Sequence, residues 1–417
     1  MSDEKRHEAK TDSDWLANIY DMLAEDDTLS LDDVKESIRE EGDDPDALIA
    51  RGMEFIEQQR QLATQRMLEE ARENKKAALQ NVREIPRHNL SFDQLREKVK
   101  LAWSSLSEAP GGTLQAAYRN LENLTEQDLH SLLKDLELVS ELNREEKEKE
   151  TSQGMVYVDR GAGARRARSI IHEYRIRTPK EIDVEGIAGL KNVCVREDIL
   201  EGCEGRLVRK GNCGIITVNT NTREVGKKRF TIGHELGHFE LHGKKTSSFI
   251  CSKKDVQLLG FFNVSPETEA NEFAAELLMP EDMFKPQCAQ TAPSLNHIQS
   301  LADDFQTTLT ATALRYIQYC PYRCAIVVSK DNKIKWAKES EDFGYRLESG
   351  QKLDPDSWAT DFFNGANLSR EMQTVLARSW LQYGRVNSTA CLSEQSWGFP
   401  NYGEVLTLLF IDDSFDE

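Results

Sequence analysis

The segment Thr231–His242 reads TIGHELGHFELH and sets His234 and His238 four residues apart, with Glu235 between them. On an α-helix, residues i and i+4 lie one above the other on a single face, about 6 Å apart along the axis. Two imidazoles so placed converge on one divalent cation, and this spacing is the HExxH zinc pattern. Glu235 stands one residue along, beside that face. There it can reach a water at the metal without being a ligand. Zinc lowers the pKa of such a water toward about 7, and a carboxylate can take the proton and later pass it to a leaving amine. The competing reading is a surface helix with two unrelated histidines. Thr231, Ile232, Leu236, Gly237 and Phe239 speak against it, because an uncharged run suits a buried helix. Gly237 would cost about 1 kcal/mol relative to Ala in an ordinary helix, so it suits close approach of another backbone or of the metal site.

A catalytic zinc usually takes three protein ligands and keeps one position open. His242 follows His234 by eight residues, roughly 12 Å along the axis and about 80° around it. An unbroken helix therefore keeps it off that metal. Carboxylates further on are better placed, at Glu267, Glu269, Glu272 and Glu276, and spacing alone does not choose among them. Two readings of His242 stay open: it stabilises an oxyanion or orients a ligand, or it is a polar residue at a helix end. Cys203 also has two readings, an inhibitory thiolate for the open position or a plain loop cysteine.

These side chains need two helices to hold them. Thr222–His242 predicts a long helix ending at Gly243. Ser265 as N-cap, Pro266 at the first helical position and Glu267 at the positive end predict a second, running through Leu278 and stopping before Pro280. Upstream, Ala164–Tyr174 reads as a helix, Asp183 caps a short helix through Leu190, and Val193–Val195, Arg206–Val208 and Gly214–Val218 read as strands. Downstream, Asn296–Phe305 and Leu309–Tyr319 form a helical pair. Arg315 is the only Lys or Arg from Leu295 to Cys320. The pair is thus a poor phosphate-binding surface and reads as closing a core rather than as a helix-turn-helix.

The flanks differ in character. Residues 1–150 read as all-helical and polar. A loose helical pattern runs from Pro45 to about Glu84, Ser91 with Gln94 forms a capping box, and Thr125 with Asp128 is a weaker variant. The latter opens the stripe Leu129, Leu132, Leu133, Leu136 and Val139. Gly111-Gly112 breaks the helices between, and Asn143–Gln153 reads as a helix end fading into a linker. Residues 321–417 read as mixed α/β. Cys324–Ser329 and Lys333–Ala337 suggest a hairpin across Lys330-Asp331-Asn332, and Val375–Leu381 and Val405–Ile411 suggest further strands. The expected fold class is α+β, with a zincin-like core at 156–320.

The stretches RFTIGHELGHFELH from Arg229 and EANEFAAELLMP from Glu269 resemble the ImmA/IrrE metallopeptidases. IDVEGIAGL, GIITVNTN and LADDFQTTLTATALRY are similar to that family as well. The resemblance covers roughly 160–320, reaches 321–417 weakly and does not extend to 1–150. It implies a zinc endopeptidase with Glu269 as the third ligand beside His234 and His238. It further implies a protein substrate, such as a helix-turn-helix repressor or an antitoxin, in stress response, mobile-element control or phage defence. Some relatives carry a GAF-like sensory domain where residues 321–417 stand; a dimerising domain is the alternative. Two competing functions remain, the toxin half of a toxin–antitoxin pair and a non-catalytic regulatory module.

Charge and composition set further bounds. The formal net charge is -19, and residues 1–50 hold 17 Asp/Glu against 5 Lys/Arg. This argues against direct nucleic-acid binding. No apolar run approaches the roughly 20 residues of a membrane helix, and the N-terminal residues lack a secretory pattern. The eight scattered cysteines suit reduced thiols, and the expected location is cytoplasmic.

Overall fold

The computed structural model describes residues 35–36, 39, 44–81, 90–104, 124–146, 161–242, 248–252, 265–381, 387–412 and 415. Gly111-Gly112, Gly243 and the linker beyond Glu146 lie outside the described residues. The chain divides into two units, 1–67 and 68–417. Helix α1 (Pro45–Asn81) starts as its sequence suggests, with Asp44 Oδ1 accepting from the Asp46 N–H at 3.0 Å and Pro45 in the first turn. Within the first unit Lys35 pairs with Asp46, and Arg60 with Glu57.

In the second unit, α2 (Phe92–Ser104) opens on the expected capping box. The Ser91 N–H donates to Gln94 Oε1 at 3.0 Å, and the Gln94 N–H returns to Ser91 Oγ at 3.4 Å. Helix α3 (Glu126–Glu146) is capped by Thr125 Oγ1, which accepts from the Asp128 N–H at 3.1 Å. Then come α4 (Ala162–Glu173), α5 (Val184–Leu190, capped by Asp183), β1 (Val193–Asp198), β2 (Cys203–Lys210), β3 (Cys213–Asn219), α6 (Val225–His242), β4 (Ser248–Ser252) and α7 (Pro266–Leu278). The first sheet has the order β1-β3-β2-β4; β1 and β3 are parallel, and the other pairs antiparallel.

β3 is buried along its whole length and β2 over its first six residues, so both faces are covered there, and β3 accordingly reads as an apolar run rather than as alternation. Val193, Leu207, Ile216 and Val218 face the core under α6, while Cys194, Val208, Cys213 and Ile215 face α2 and α3. The stripe Leu129, Leu132, Leu133, Leu136 and Val139 is buried against that second face. A charged cluster joins the same layers. Asp135 is fully buried and accepts from Arg206, from Arg196 Nε at 2.6 Å and from Thr217 Oγ1 at 2.9 Å. Helices within the acidic 1–150 stretch therefore share a core with the sheet that carries the site.

Downstream stand α8 (Glu281–Cys288), α9 (Leu295–Phe305) and α10 (Leu309–Tyr319), followed by β5 (Arg323–Lys330), β6 (Lys333–Glu339), α11 (Trp358–Phe363), β7 (Gln373–Leu376), β8 (Cys391–Phe399) and β9 (Glu404–Ile411). The last five strands form an antiparallel sheet of order β6-β5-β9-β8-β7. The β5–β6 hairpin turns at Asp331-Asn332, both with positive φ, the geometry of a two-residue hairpin loop. The apolar faces of α9 and α10 enter the main core, with Ile298, Phe305, Ala313 and Tyr316 fully buried. The strand expected over Val375–Leu381 ends at Leu376. A 3-10 turn over Ala377–Ser379 follows and puts Ala377, Trp380 and Leu381 into the core.

Candidate metal centre

Helix α6 is buried without a gap from Phe230 to Phe239. Its neighbours come very close. Gly237 lies against α7, where an added Cβ would stand 3.1 Å from the Ala270 Cα. Gly205 of β2 lets that strand cross the helix, since a Cβ there would stand 2.4 Å from Thr231 Cγ2 and 3.1 Å from Glu235 Oε1. Glu235 is thus enclosed between its own helix and the sheet, fully buried.

The i, i+4 imidazoles do converge. The rings of His234 and His238 lie 4.7 Å apart and nearly perpendicular, with their Nε2 atoms 3.1 Å from each other. Glu267 completes the group: its Oε2 is 3.2 Å from His234 Nε2 and 3.3 Å from His238 Nε2. His234, His238 and Glu267 are the one such potential ligand group among the described residues. Two imidazole nitrogens and a carboxylate oxygen are the donor set of His₂Glu zinc sites, so the residues present fit that metal.

Helix α7 delivers Glu267. Ser265 Oγ accepts from the Thr268 N–H at 3.2 Å, which starts the helix, and Glu267 falls in the first turn at its positive end. One turn on, Asn271 Oδ1 lies 2.9 Å from His234 Nδ1. An amide oxygen only accepts, so Nδ1 carries the proton and Nε2 keeps its lone pair for a metal.

Glu269, which the family resemblance nominates as third ligand, stands elsewhere. Two residues along a helix is a rotation of about 200°, so Glu267 and Glu269 leave α7 in different directions and meet different histidines of α6. Glu269 Oε2 meets His242 Nε2 at 2.8 Å, and His242 Nδ1 lies 3.0 Å from His238 Nδ1. Both ring nitrogens of His242 are therefore engaged. Glu276 is further removed, bound to Arg315 and to Arg168 Nε at 2.8 Å. Glu272 is not part of the ligand group. Cys203 is buried, and burial pushes its thiol up to about 12. It is not part of the ligand group.

The two rings differ in their proton affinity. Burial, with a hydrogen bond to Glu267 opposing it, brings His238 down to about 4. At His234 burial acts the same way, but Glu267 and Glu235 outweigh it and the pKa is raised. Glu267 is itself pushed up by burial, yet its two imidazole partners hold it well below the usual carboxylate range. Sequence reasoning missed Asn271 as a partner and did not favour Glu267. The available signal was their i, i+4 spacing, which puts a carboxylate and an amide on one face of α7.

Residues 203–316 match the family model Peptidase_M78, the IrrE N-terminal-like domain. The match contains both motifs that carry the resemblance and ends short of IDVEGIAGL on the upstream side. Among solved structures, a Mycobacterium tuberculosis transcriptional regulator aligns at 14% identity over 60% of this chain and 76% of that one, with a TM-score of 0.37. No curated protein matches the chain. None of the described helices is long and apolar enough to cross a membrane.

Proposed function

We propose that this IrrE-like segment is a zinc-dependent endopeptidase in which His234, His238 and Glu267 hold the metal and Glu235 is the general base. The observation that carries the reading is the meeting of His234 Nε2, His238 Nε2 and Glu267 Oε2 within 3.1–3.3 Å of one another. A zinc ion there supplies Lewis acidity, which polarises a carbonyl and brings the pKa of water toward about 7. Asn271 holds the His234 ring in the tautomer that leaves Nε2 available. Glu235, one residue along the same helix, takes the proton of the attacking water and returns it to the departing amine.

The substrate in this reading is a protein partner, and the family resemblance favours a helix-turn-helix repressor or an antitoxin-like protein. A purely structural metal site needs no buried carboxylate beside the ligands, so Glu235 argues for catalysis over a non-catalytic module. The test is to express wild type and Glu235→Gln and to compare newly formed protein N-termini by proteomics, with metal content measured on both purified chains. Cleavage products confined to wild type, with equal zinc in both, support the reading. Equal cleavage by the variant removes Glu235 from the mechanism.

A further inference from the structure

Glu269 has 4% of its surface exposed, and His242 is its one ion-pair partner among the described residues. Its other oxygen, Oε1, is buried without a hydrogen bond among those residues. Burying a carboxylate in this way is unfavourable unless a specific contact compensates it. The hydrogen-bond chain around it identifies that contact.

His238 turns Nε2 toward His234 and Glu267, at 3.1 Å and 3.3 Å. If Nε2 is the coordinating atom, the proton of the neutral ring sits on Nδ1 and must be donated. The atom facing it is His242 Nδ1, at 3.0 Å. That nitrogen must then accept, so the proton of His242 sits on Nε2. There it meets Glu269 Oε2 at 2.8 Å. Each bond fixes the direction of the next, and only one arrangement of protons satisfies all three. The other ligand ring is held differently, since the partner of His234 Nδ1 is the neutral amide of Asn271.

We propose that His242 and Glu269 are positioning residues: a two-member relay that fixes the His238 ring in its metal-binding tautomer and, through the terminal negative charge, raises the donor strength of Nε2. The inference rests on the metallopeptidase reading above. It takes His242 out of direct oxyanion stabilisation and gives Glu269 a role behind the ligands rather than among them. Partners of this kind typically change metal affinity by 10–100-fold.

The experiment measures zinc affinity of the full chain by competition with a chromophoric chelator. The proteins are wild type, His242→Ala, Glu269→Ala, Glu269→Gln and the His242→Ala/Glu269→Ala double variant, each checked for an unchanged circular dichroism spectrum. The relay predicts a loss of roughly 10–100-fold for each alanine variant. The double variant should lose no more than the weaker-binding single one, because both break the same chain. Glu269→Gln keeps an acceptor oxygen and a similar shape, so it should retain more affinity than Glu269→Ala and remains informative if the alanine variant folds poorly. Long-range proton–nitrogen NMR of the zinc-loaded chain, labelled at histidine, should show His238 protonated on Nδ1 and His242 on Nε2. In Glu269→Gln the NMR preference at His242 should weaken. Wild-type affinity in both alanine variants, additive losses in the double variant, or a His242 proton on Nδ1 overturns the relay. A Glu269→Ala loss equal to that of Glu267→Ala also overturns it, because Glu269 would then be a ligand. A wild-type chain that binds no zinc sinks the underlying reading, a result distinct from all of these.

Discussion

Replacing Glu267 by alanine tests the assignment of the third donor most directly. Glu267 Oε2 is the one carboxylate oxygen of the described group, 3.2 Å and 3.3 Å from the two ring nitrogens. Apparent zinc binding energies of about 10–16 kcal/mol for four-ligand sites correspond to roughly 2.5–4 kcal/mol per ligand. Losing one should weaken binding by about 10²–10³-fold. Thermal unfolding converts this into a simple readout. Free zinc at about 100 times the wild-type Kd stabilises the folded chain by roughly 2.7 kcal/mol. The same concentration is at or below the Kd of the variant, so the stabilisation drops to about 0.4 kcal/mol or less. Differential scanning calorimetry with and without zinc should show a rise in Tm for wild type and almost none for Glu267→Ala. A full zinc-dependent rise in the variant would show that the third donor lies elsewhere and that the carboxylate geometry described here is not the metal-bound one.

Further outcomes follow from the buried polar contacts. Asp135→Ala leaves the Arg206 guanidinium buried without its carboxylate and should destabilise the second unit by about 3–5 kcal/mol in urea unfolding at neutral pH; a change below about 1 kcal/mol would mean that the cluster is not closed in solution. Glu276 is pushed up by burial, but Arg315 and Arg168 outweigh this and hold it below its ordinary 4.5. Its contribution to stability is thus present above that value and lost as pH falls through the lower folded pKa. Unfolding free energies of wild type and Glu276→Gln should differ most at neutral pH and converge on acidification below about 4.5. Gly163→Ala would place a Cβ 2.1 Å from the Glu269 backbone oxygen, where α4 crosses α7. It should cost about 1–3 kcal/mol and weaken zinc binding by moving the helix that carries Glu267; unchanged Tm and zinc affinity would argue against so close a crossing.

Local rules made much of the molecule legible. The capping box at Ser91 and Gln94, the Asp183 cap, the Ser265-Pro266 start of α7 and the Asp331-Asn332 hairpin all occur as their sequences suggest. Each depends on residues within four positions of one another. Gly237 was readable as a close approach for the same kind of reason, because glycine inside a helix is unfavourable without a packing purpose. Segments whose structure depends on distant partners were less legible. Strand β8 (Cys391–Phe399) carries Glu394, Gln395 and Ser396 inside the fold, where Trp380, Arg370 and Thr407 satisfy them. Its polar sequence hid a buried strand. Likewise β4 and α11 take their form from β2 and from Glu394, which accepts from the N–H groups of Trp358 and Ala359.

The same division runs through the candidate site. His234, Glu235 and His238 share one helix, and 3.6 residues per turn already places the two rings together with the carboxylate beside them. That part needs nothing beyond Thr231–His242. The third donor comes from another helix, and four acidic residues there were open to the role. The rotation and depth at which α7 crosses α6 decide among them, and the close contacts of that crossing are made at Gly233 and Gly237 of α6, with Ser265 starting α7. A sequence records periodicity within an element directly. The angle between two elements emerges only when their side chains pack, and here that angle brings Glu267 to the imidazoles and sends Glu269 to His242.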